Sequence, residues 1–140
     1  MKIKYILPVL FITFLFTGCV ERIVTITGQN TTHPEFSSGR ENFKSRISEI
    51  INSEDISISS GSVKTSGETA YNFLSVDIIS STDFPSGGIK FSKLAGEIAK
   101  VVEEDIENID DYKKLKIEVS TTVMENDTEH TRTFRKEISL

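Results

Sequence analysis

The fold is decided by residues 114–123, whose sequence is KLKIEVSTTV, together with the segment that follows the dipeptide Asn126-Asp127. Apolar and polar side chains alternate along residues 114–123, as they do in a half-buried β-strand. A tight turn at Asn126-Asp127 predicts a hairpin in a single register. That register pairs Val119 with Phe134, Leu115 with Ile138, Glu118 with Arg135 and Lys116 with Glu137. Two apolar pairs on one face and two opposite-charge pairs on the other support this register.

Two helices are predicted upstream of this hairpin. The first spans about 39–52, where Ser38 and Glu41 have the spacing of a capping box; a start at Thr32 with Glu35 as its partner is the alternative. The second spans about 90–108. Each carries its apolar side chains on one face. These side chains are Phe43, Ile47, Ile50 and Ile51 in the first helix, and Phe91, Leu94, Ala95, Ile98, Val101, Val102 and Ile106 in the second.

Three more strands are predicted. Ile23–Thr27 is a β-branched run that ends at Gly28, and two alternating segments around residues 56–59 and 73–79 form a second hairpin. A three-residue loop, Thr65-Ser66-Gly67, places Gly67 at the left-handed position. It also sets Ile58 opposite Leu74 and Ile56 opposite Val76.

The element order is therefore β-α-β-β-α-β-β, which predicts an α+β fold. We expect a two-layer sandwich in which an antiparallel sheet carries both helices on one face. The first six elements match a ferredoxin-like layout, to which the last strand is added at an edge. Arg132 and Lys136 fall on the apolar side of that strand, where charges guard an exposed edge. Because such a fold hosts many functions, it does not identify one.

The amino-terminal segment has the pattern of an export signal. Lys2 and Lys4 precede an apolar run, Tyr5–Phe16, that is shorter than the ~20 residues of a membrane-spanning helix. Thr17 and Gly18 then precede Cys19, the only cysteine of the chain. With no second cysteine, Cys19 has no intrachain disulfide partner.

This segment resembles the type II signal peptide of bacterial lipoproteins, in which a lipobox ends at the modified cysteine. Phe16 stands where the usual lipobox has Leu, and Leu15 lies one position earlier. The resemblance implies that residues 1–18 are a signal peptide, that 19–21 form the lipid-anchored amino terminus and that 22–140 form one α/β domain. It also implies acylation of Cys19 with diacylglycerol and fatty acid (palmitate). The protein would then lie in the bacterial cell envelope, and Val20 after the cysteine implies the outer membrane in a Gram-negative owner.

The charge of the chain argues against nucleic acid as a partner. The net charge is −5, and without Lys2 and Lys4 it becomes −7, from 14 basic and 21 acidic residues. An acidic domain has no electrostatic footprint for nucleic acid or for an anionic membrane surface. The membrane contact is therefore expected through lipid alone.

Two clusters of polar residues contain potential metal ligands. His130 lies near Glu125, Asp127 and Glu129, but strand alternation divides these residues between two faces, which favours a solvated hairpin tip over a metal site. Glu103, Glu104 and Asp105 lie near a helix C-terminus, where they oppose the helix dipole. A solvated acidic face is the ordinary interpretation of that run; a basic partner or loosely held calcium is the alternative.

The third candidate is the sheet face away from the helices. Tyr71, Phe73 and Ile79 give this face apolar bulk, and small hydroxyl side chains are expected to leave its middle uncharged. These are Ser57, Ser59, Ser75, Ser120, Thr122, Thr131 and Thr133. A half-solvated sheet with scattered aromatics is the ordinary interpretation of the same residues.

The sequence contains no nucleophile and base arranged for catalysis and no spacing of metal ligands. The first hypothesis is a non-enzymatic, lipid-anchored envelope protein, with no cofactor, that binds or helps to assemble an envelope protein. The contact would be made by Tyr71, Phe73 and Ile79 or by Glu103, Glu104 and Asp105. The second hypothesis is a surface lipoprotein that binds a small ligand or glycan through Tyr71 and Phe73. The sequence leaves the oligomeric state open.

Overall fold

A computed structural model describes residues 24–27, 32–65, 67 and 69–140. The predicted signal segment, Cys19 and the membrane-anchored terminus lie outside these residues. The elements are β1 (Val24–Thr27), α1 (Arg40–Ile50), β2 (Asp55–Thr65), β3 (Tyr71–Ile79), α2 (Gly88–Asp105), a single 3₁₀ turn (Ile109–Asp111), β4 (Lys114–Glu125) and β5 (Thr128–Ser139). The fold is α+β, with two helices layered on a mixed sheet of four long strands and the short β1.

The sheet follows the order of the chain, β1-β2-β3-β4-β5. Its pairs are antiparallel except β3 with β4, which run parallel because α2 crosses over between them. The prediction of an all-antiparallel sheet is therefore wrong. The ferredoxin-like layout is not found either. In that layout a third strand separates the two strands that a helix joins, whereas here each helix joins direct neighbours.

The β4–β5 hairpin has the register that the sequence predicts. Val119 lies opposite Phe134 and Glu118 opposite Arg135. The turn residues Asn126 and Asp127 both have positive φ, 50° and 60°. Two consecutive left-handed residues form the type I′ turn, whose twist matches that of the flanking strands.

The β2–β3 hairpin is longer than predicted, and its register differs by two residues. Ile58 lies opposite Val76, not Leu74, and Ile56 lies opposite Ile78. The pairing continues to Val63 opposite Tyr71, so residues 64–70 connect the last pair. Gly67 does adopt a left-handed conformation, with φ of 80°. A shift of two residues keeps every side chain on its predicted face, because side-chain direction repeats every two residues.

One face of the sheet and one side of each helix share a single core. Leu74, Val76 and Ile117 are at most 1% exposed, and Phe43 of α1 and Ile98 of α2 pack against the same cluster. At ~25 cal/mol per Å² of buried apolar surface, this layer is the main source of stability. The opposite face of the sheet carries no helix among the described elements.

Helix α1 begins without the predicted capping box. Arg40 is its first residue, Gly39 precedes it with φ of 88°, and no side chain caps the first turn. The Ser38 carbonyl instead accepts a hydrogen bond from Asn42 Nδ2 at 2.7 Å. Gly39 takes a left-handed conformation that most side chains disfavour, so the backbone itself sets the entry into the helix.

An extended segment, residues 32–38, crosses the end of α2 before α1 begins. Its backbone pairs with the last residue of α2 and with the segment after it, through Ser37 N to Asp105 O at 2.8 Å and Glu107 N to Glu35 O at 2.9 Å. Asn108 Oδ1 accepts from Glu35 N at 3.0 Å. The buried Tyr112 hydroxyl donates to Thr32 O at 2.9 Å. These hydrogen bonds hold residues 32–38, which precede α1, against the C-terminal end of α2.

Candidate interaction surface

The uncovered face of the sheet, here called the open face, carries every second side chain of β2 to β5. The alternation places Phe73, Ser75 and Asp77 on this face, while Leu74 and Val76 enter the core. Tyr71 and Ile79 share the same parity, so the three predicted apolar contact residues do lie on one face. The hydroxyl residues predicted for this face have that parity as well.

The ring of Phe73 is held between the backbone of Gly61 and the ammonium group of Lys116. It lies directly opposite Gly61 in the β2–β3 ladder. A Cβ atom at position 61 would lie 2.5 Å from Phe73 Cζ, so the ring packs on the glycine backbone. The ammonium of Lys116 lies 3.6 Å from the ring centroid, which is within cation–π range. The ring is therefore only partly exposed and has a defined orientation.

Tyr71 has a weaker form of the same arrangement. Lys114 Nζ lies 5.4 Å from the centroid of its ring. The same ammonium forms an ion pair with Glu137 of β5, and the hydrogen bond from that pair raises the pKa of Lys114. Two lysines of β4 thus lie over two aromatic rings of β3. The parallel β3–β4 pairing produces this, since it aligns Phe73 with Lys114 and Ser75 with Lys116.

Charged side chains also occupy the middle of the open face. Asp77 lies opposite Glu118 of β4, and Arg135 Nε contacts Glu118 Oε2 at 2.5 Å. Burial raises the pKa of the Asp77 carboxyl; the hydrogen bond from Ser75 opposes this shift and the charge of Glu118 adds to it. The hydrogen bond to Glu118 raises the pKa of Arg135. The prediction of an uncharged middle is therefore wrong.

A shallow depression of about 540 Å³ lies between β3, β4 and β5 on this face. Its lining includes both signs of charge beside a hydroxyl. The lining residues are Ser75, Lys116, Ile117, Glu118, Arg135, Lys136 and Glu137. Such a lining offers a ligand both charged groups and apolar surface. Ile79 lies outside it, at the end of β3, with 43% of its surface exposed.

The three acidic residues predicted as a contact site at the end of α2 do not share one exposed surface. Glu103 and Glu104 are exposed, but Glu104 forms an ion pair with Arg46 of α1 at 2.5 Å. Asp105 is only 1% exposed, so its prediction as a contact residue is wrong. Its Oδ1 accepts from Ser37 Oγ at 3.2 Å and lies 3.5 Å from Arg46 Nη1. Asp105 joins residues 32–38 to both helices.

Sequence spacing contained a signal for the burial of Asp105. Residues 91, 95, 98, 102 and 105 follow one another at intervals of three or four, which is the buried stripe of α2. Gly61 was also a missed signal, because a glycine inside a strand often marks the close approach of another group. The role of Lys116 depends on the pairing of β3 with β4, which separated segments do not reveal.

No group of three or more His, Cys, Asp or Glu side chains among residues 24–27, 32–65, 67 and 69–140 is arranged to hold a metal ion. In that same part of the chain, no helix combines the length and the apolar character needed to cross a bilayer. Comparisons with protein-family models, with curated proteins and with solved structures find no match to this chain.

Proposed function

We propose that this chain is a lipid-anchored, non-enzymatic protein of the bacterial cell envelope that binds a protein partner through its open face. The observation that carries the proposal is the ordered stack of Gly61, Phe73 and Lys116 on a sheet face that no described helix covers. The anchor at Cys19 is the second part of the proposal. It is supported by the lipobox-like pattern of the sequence.

The stack has features that favour protein binding. Aromatic side chains dominate binding energy at protein interfaces. A ring already held in one orientation loses little conformational freedom on binding. Lys116 forms no ion pair within the part of the chain that the structure describes. We therefore expect the partner to place an apolar group beside Phe73 and a carboxylate near Lys116.

Of the two contact surfaces predicted from sequence, the open face is the better supported. At the end of α2, Asp105 is buried and Glu104 is paired with Arg46, which leaves Glu103 as the exposed, unpaired acid of that run among the described residues. The open face instead presents a continuous surface across four strands, from Ser57 on β2 to Arg135 on β5.

The test of the binding surface is in-cell photocrosslinking from position 73. A photoreactive phenylalanine analogue replaces Phe73, and the matched control places the same analogue at Lys93, an exposed position on α2. We expect one discrete envelope protein to be crosslinked from position 73 and not from position 93. The substitution Lys116→Glu should reduce the yield while the melting temperature stays close to that of the parent. A folded, membrane-bound protein that gives no product from position 73 would exclude this surface.

The anchor is tested separately by Cys19→Ala. We expect the variant to remain unprocessed or to appear in the soluble fraction, whereas the parent is recovered with membranes. Recovery of a processed variant with membranes in the parental amount would contradict lipidation. This outcome would leave the binding surface untouched, because the crosslinking result depends on Phe73 and not on Cys19.

The depression beside the stack supports a second candidate function, the binding of a small polar ligand or glycan. Lys116, Glu118, Arg135 and Glu137 offer donors and acceptors around about 540 Å³. A ligand that binds the native state raises the melting temperature, and the stabilisation grows with the logarithm of one plus the ratio of its concentration to its Kd. We would screen soluble cell-wall fragments against the parent and against Arg135→Ala. A shift in the parent that the variant loses supports this function, and no shift argues against it.

A further inference from the structure

A second depression, here called the β5 depression, lies on the helical side of the sheet. It has a volume of about 480 Å³ and is bounded by β5 and by the loop that joins β3 to α2. Its lining residues are Phe84, Pro85, Ser86, Arg132, Thr133 and Phe134. Phe134 lies opposite the buried Val119, so its side chain is on the face away from the open face. The β5 depression is therefore separate from the site proposed above.

The aromatic wall of the β5 depression is continuous with the core. Phe91 of α2 is 4% exposed and stacks on Phe134, with 5.2 Å between the ring centroids. Phe84 stacks on Phe134 as well, at 5.3 Å. Phe84 and Phe134 are only partly buried, and both line the depression. A row of stacked rings thus starts in the core and ends at a surface where a further ring can pack by offset or edge-to-face contact.

The loop that carries Phe84 is held in place at its base. Ser80 is fully buried, and its hydroxyl donates to Asn52 O at 2.6 Å. The same hydroxyl oxygen accepts from Asp83 N at 3.1 Å. Asp83 Oδ2 in turn accepts from Asn52 N at 3.0 Å. Because this network fixes the residue before Phe84, one wall of the depression exists before any ligand binds.

Arg132 is the charged side chain of this lining, and it differs from the other cation on the same face of β5. Lys136 is occupied, since its ammonium donates to Ser92 Oγ at 2.7 Å. Arg132 makes one long contact, from Nη2 to Glu125 Oε1 at 3.4 Å, and both of these side chains are more than half exposed. A guanidinium carries five N–H donors in a planar fork. Most donors of Arg132 therefore have no acceptor within the described part of the chain.

We propose that the β5 depression binds a small aromatic carboxylate. The ring would pack on Phe84 and Phe134, and the carboxylate would accept hydrogen bonds from Arg132. A carboxylate matches the guanidinium fork in shape as well as in charge. Displacing Glu125 costs little, because an exposed ion pair contributes at most about 1 kcal/mol. The lining has a cation and no acid among the described residues, which favours an anion over a neutral ligand.

The gaps in the described chain lie away from this depression. Thr133 lies opposite Ser120, which also pairs with Ile79 at the end of β3. The described residues that border the gaps lie instead near the start of β3, more than about 20 Å along the strand. These residues are Val24, Thr27, Thr32, Thr65, Gly67 and Thr69.

NMR titration of the full-length protein in mild detergent tests the proposal. The probes are N-acetylphenylalanine and its neutral amide, and a detergent blank corrects for partition into micelles. We expect the acid to shift the backbone amide signals of Ser86, Thr133 and Phe134. The amide probe should bind about tenfold more weakly, because it lacks the charge-assisted hydrogen bonds to Arg132.

Three variants assign the binding to this site. Arg132→Gln should weaken binding of the acid about tenfold and leave binding of the amide unchanged. Glu125→Gln removes the competing carboxylate and should strengthen binding of the acid by up to about fivefold. Arg135→Gln is the matched control, since Arg135 is also a β5 cation paired with a glutamate but lies on the open face. It should bind the acid as the parent does.

Several results would overturn the proposal. These are the absence of shifts in the parent, equal affinity for the acid and the amide, and unchanged binding of the acid by Arg132→Gln. Loss of binding in Arg135→Gln alone would assign the probe to the open face instead. The exposed positions of Arg132 and Glu125 make misfolding of these variants an unlikely cause of any change, and melting temperatures close to that of the parent verify this. None of these results depends on Cys19 or Phe73, so failure here leaves the proposed function intact.

Discussion

The two faces of the sheet are built from the same strands but are stabilised in different ways. On the helical face, Val76 and Ile117 are at most 1% exposed and pack against both helices. On the open face, the adjacent residues Asp77 and Glu118 are polar: Asp77 accepts a hydrogen bond from Ser75, and Glu118 forms an ion pair with Arg135. The difference shows that one strand can specify a buried core face and a charged solvent-facing face independently, because successive side chains point to opposite faces.

The largest expected effect on stability comes from comparing two adjacent residues of β4, one on each face of the sheet. Ile117→Ala should lower the free energy of unfolding by about 2–5 kcal/mol, because it leaves a cavity in a closed core. Glu118→Ala removes an exposed ion pair and should cost less than about 1 kcal/mol. Urea denaturation of both variants measures the two costs. Similar losses for both would mean that the open face contributes to stability as strongly as the core.

A smaller effect tests the stack on the open face. Gly61→Ala should destabilise the protein by about 1–2 kcal/mol, because the added methyl group displaces the ring of Phe73. In the Phe73→Ala background the same change should be neutral or stabilising, since alanine is otherwise favoured over glycine in a strand by roughly 0.5–1 kcal/mol. A double-mutant cycle from chemical denaturation gives the coupling. Equal effects in the two backgrounds would show that the ring does not rest on position 61.

The smallest effect concerns charge in the open face and depends on pH. The pKa of Asp77 is raised above 3.8 in the folded protein, so the folded state binds this proton more tightly than the unfolded chain does. Ionisation of Asp77 therefore weakens folding above its raised pKa, and the penalty is absent below pH 3.8. Asp77→Asn should raise the melting temperature by about 1–2 °C at pH 7, or a few tenths of a kcal/mol, because burial and then the charge of Glu118 disfavour the ionised carboxyl.

Calorimetry at pH 7 and at pH 3 checks this sign. The advantage of Asp77→Asn over the parent should disappear at pH 3, where both side chains are neutral. Glu129→Gln, a change at an exposed position of β5, serves as the control for the loss of one negative charge from the whole domain. An advantage of the same size at both pH values would show that ionisation of Asp77 is not its cause.

The parts of the fold that sequence predicts best are those with several independent local constraints. The β4–β5 register was predicted because a turn, two apolar pairs and two ion pairs agree on it. The β2–β3 register was missed by two residues because β2 is rich in serine, and a slip of two keeps the apolar face unchanged. Ser57 and Ser59 provide no cross-strand charge or bulk that distinguishes one register from the other.

The sheet order was harder to predict, since it depends on contacts between distant segments. The alternation in β3 and β4 shows which residues face the core, but not that α2 returns the chain beside β3 in parallel. The same limit applies to the prediction of the open face. Tyr71 and Phe73 were identified from their parity, whereas Lys114 and Lys116 reach these rings only because β4 lies next to β3. The burial of Asp105 likewise requires residues 32–38 to cross the end of α2.

The direction of β1 has a consequence for the proposed lipid anchor. Val24 lies opposite Thr65, so the chain enters the sheet at the end where β2 leaves it. Cys19 is five residues earlier, a reach of at most ~17 Å. With the proposed lipid on Cys19, this end of the sheet would stay within that reach of the bilayer surface.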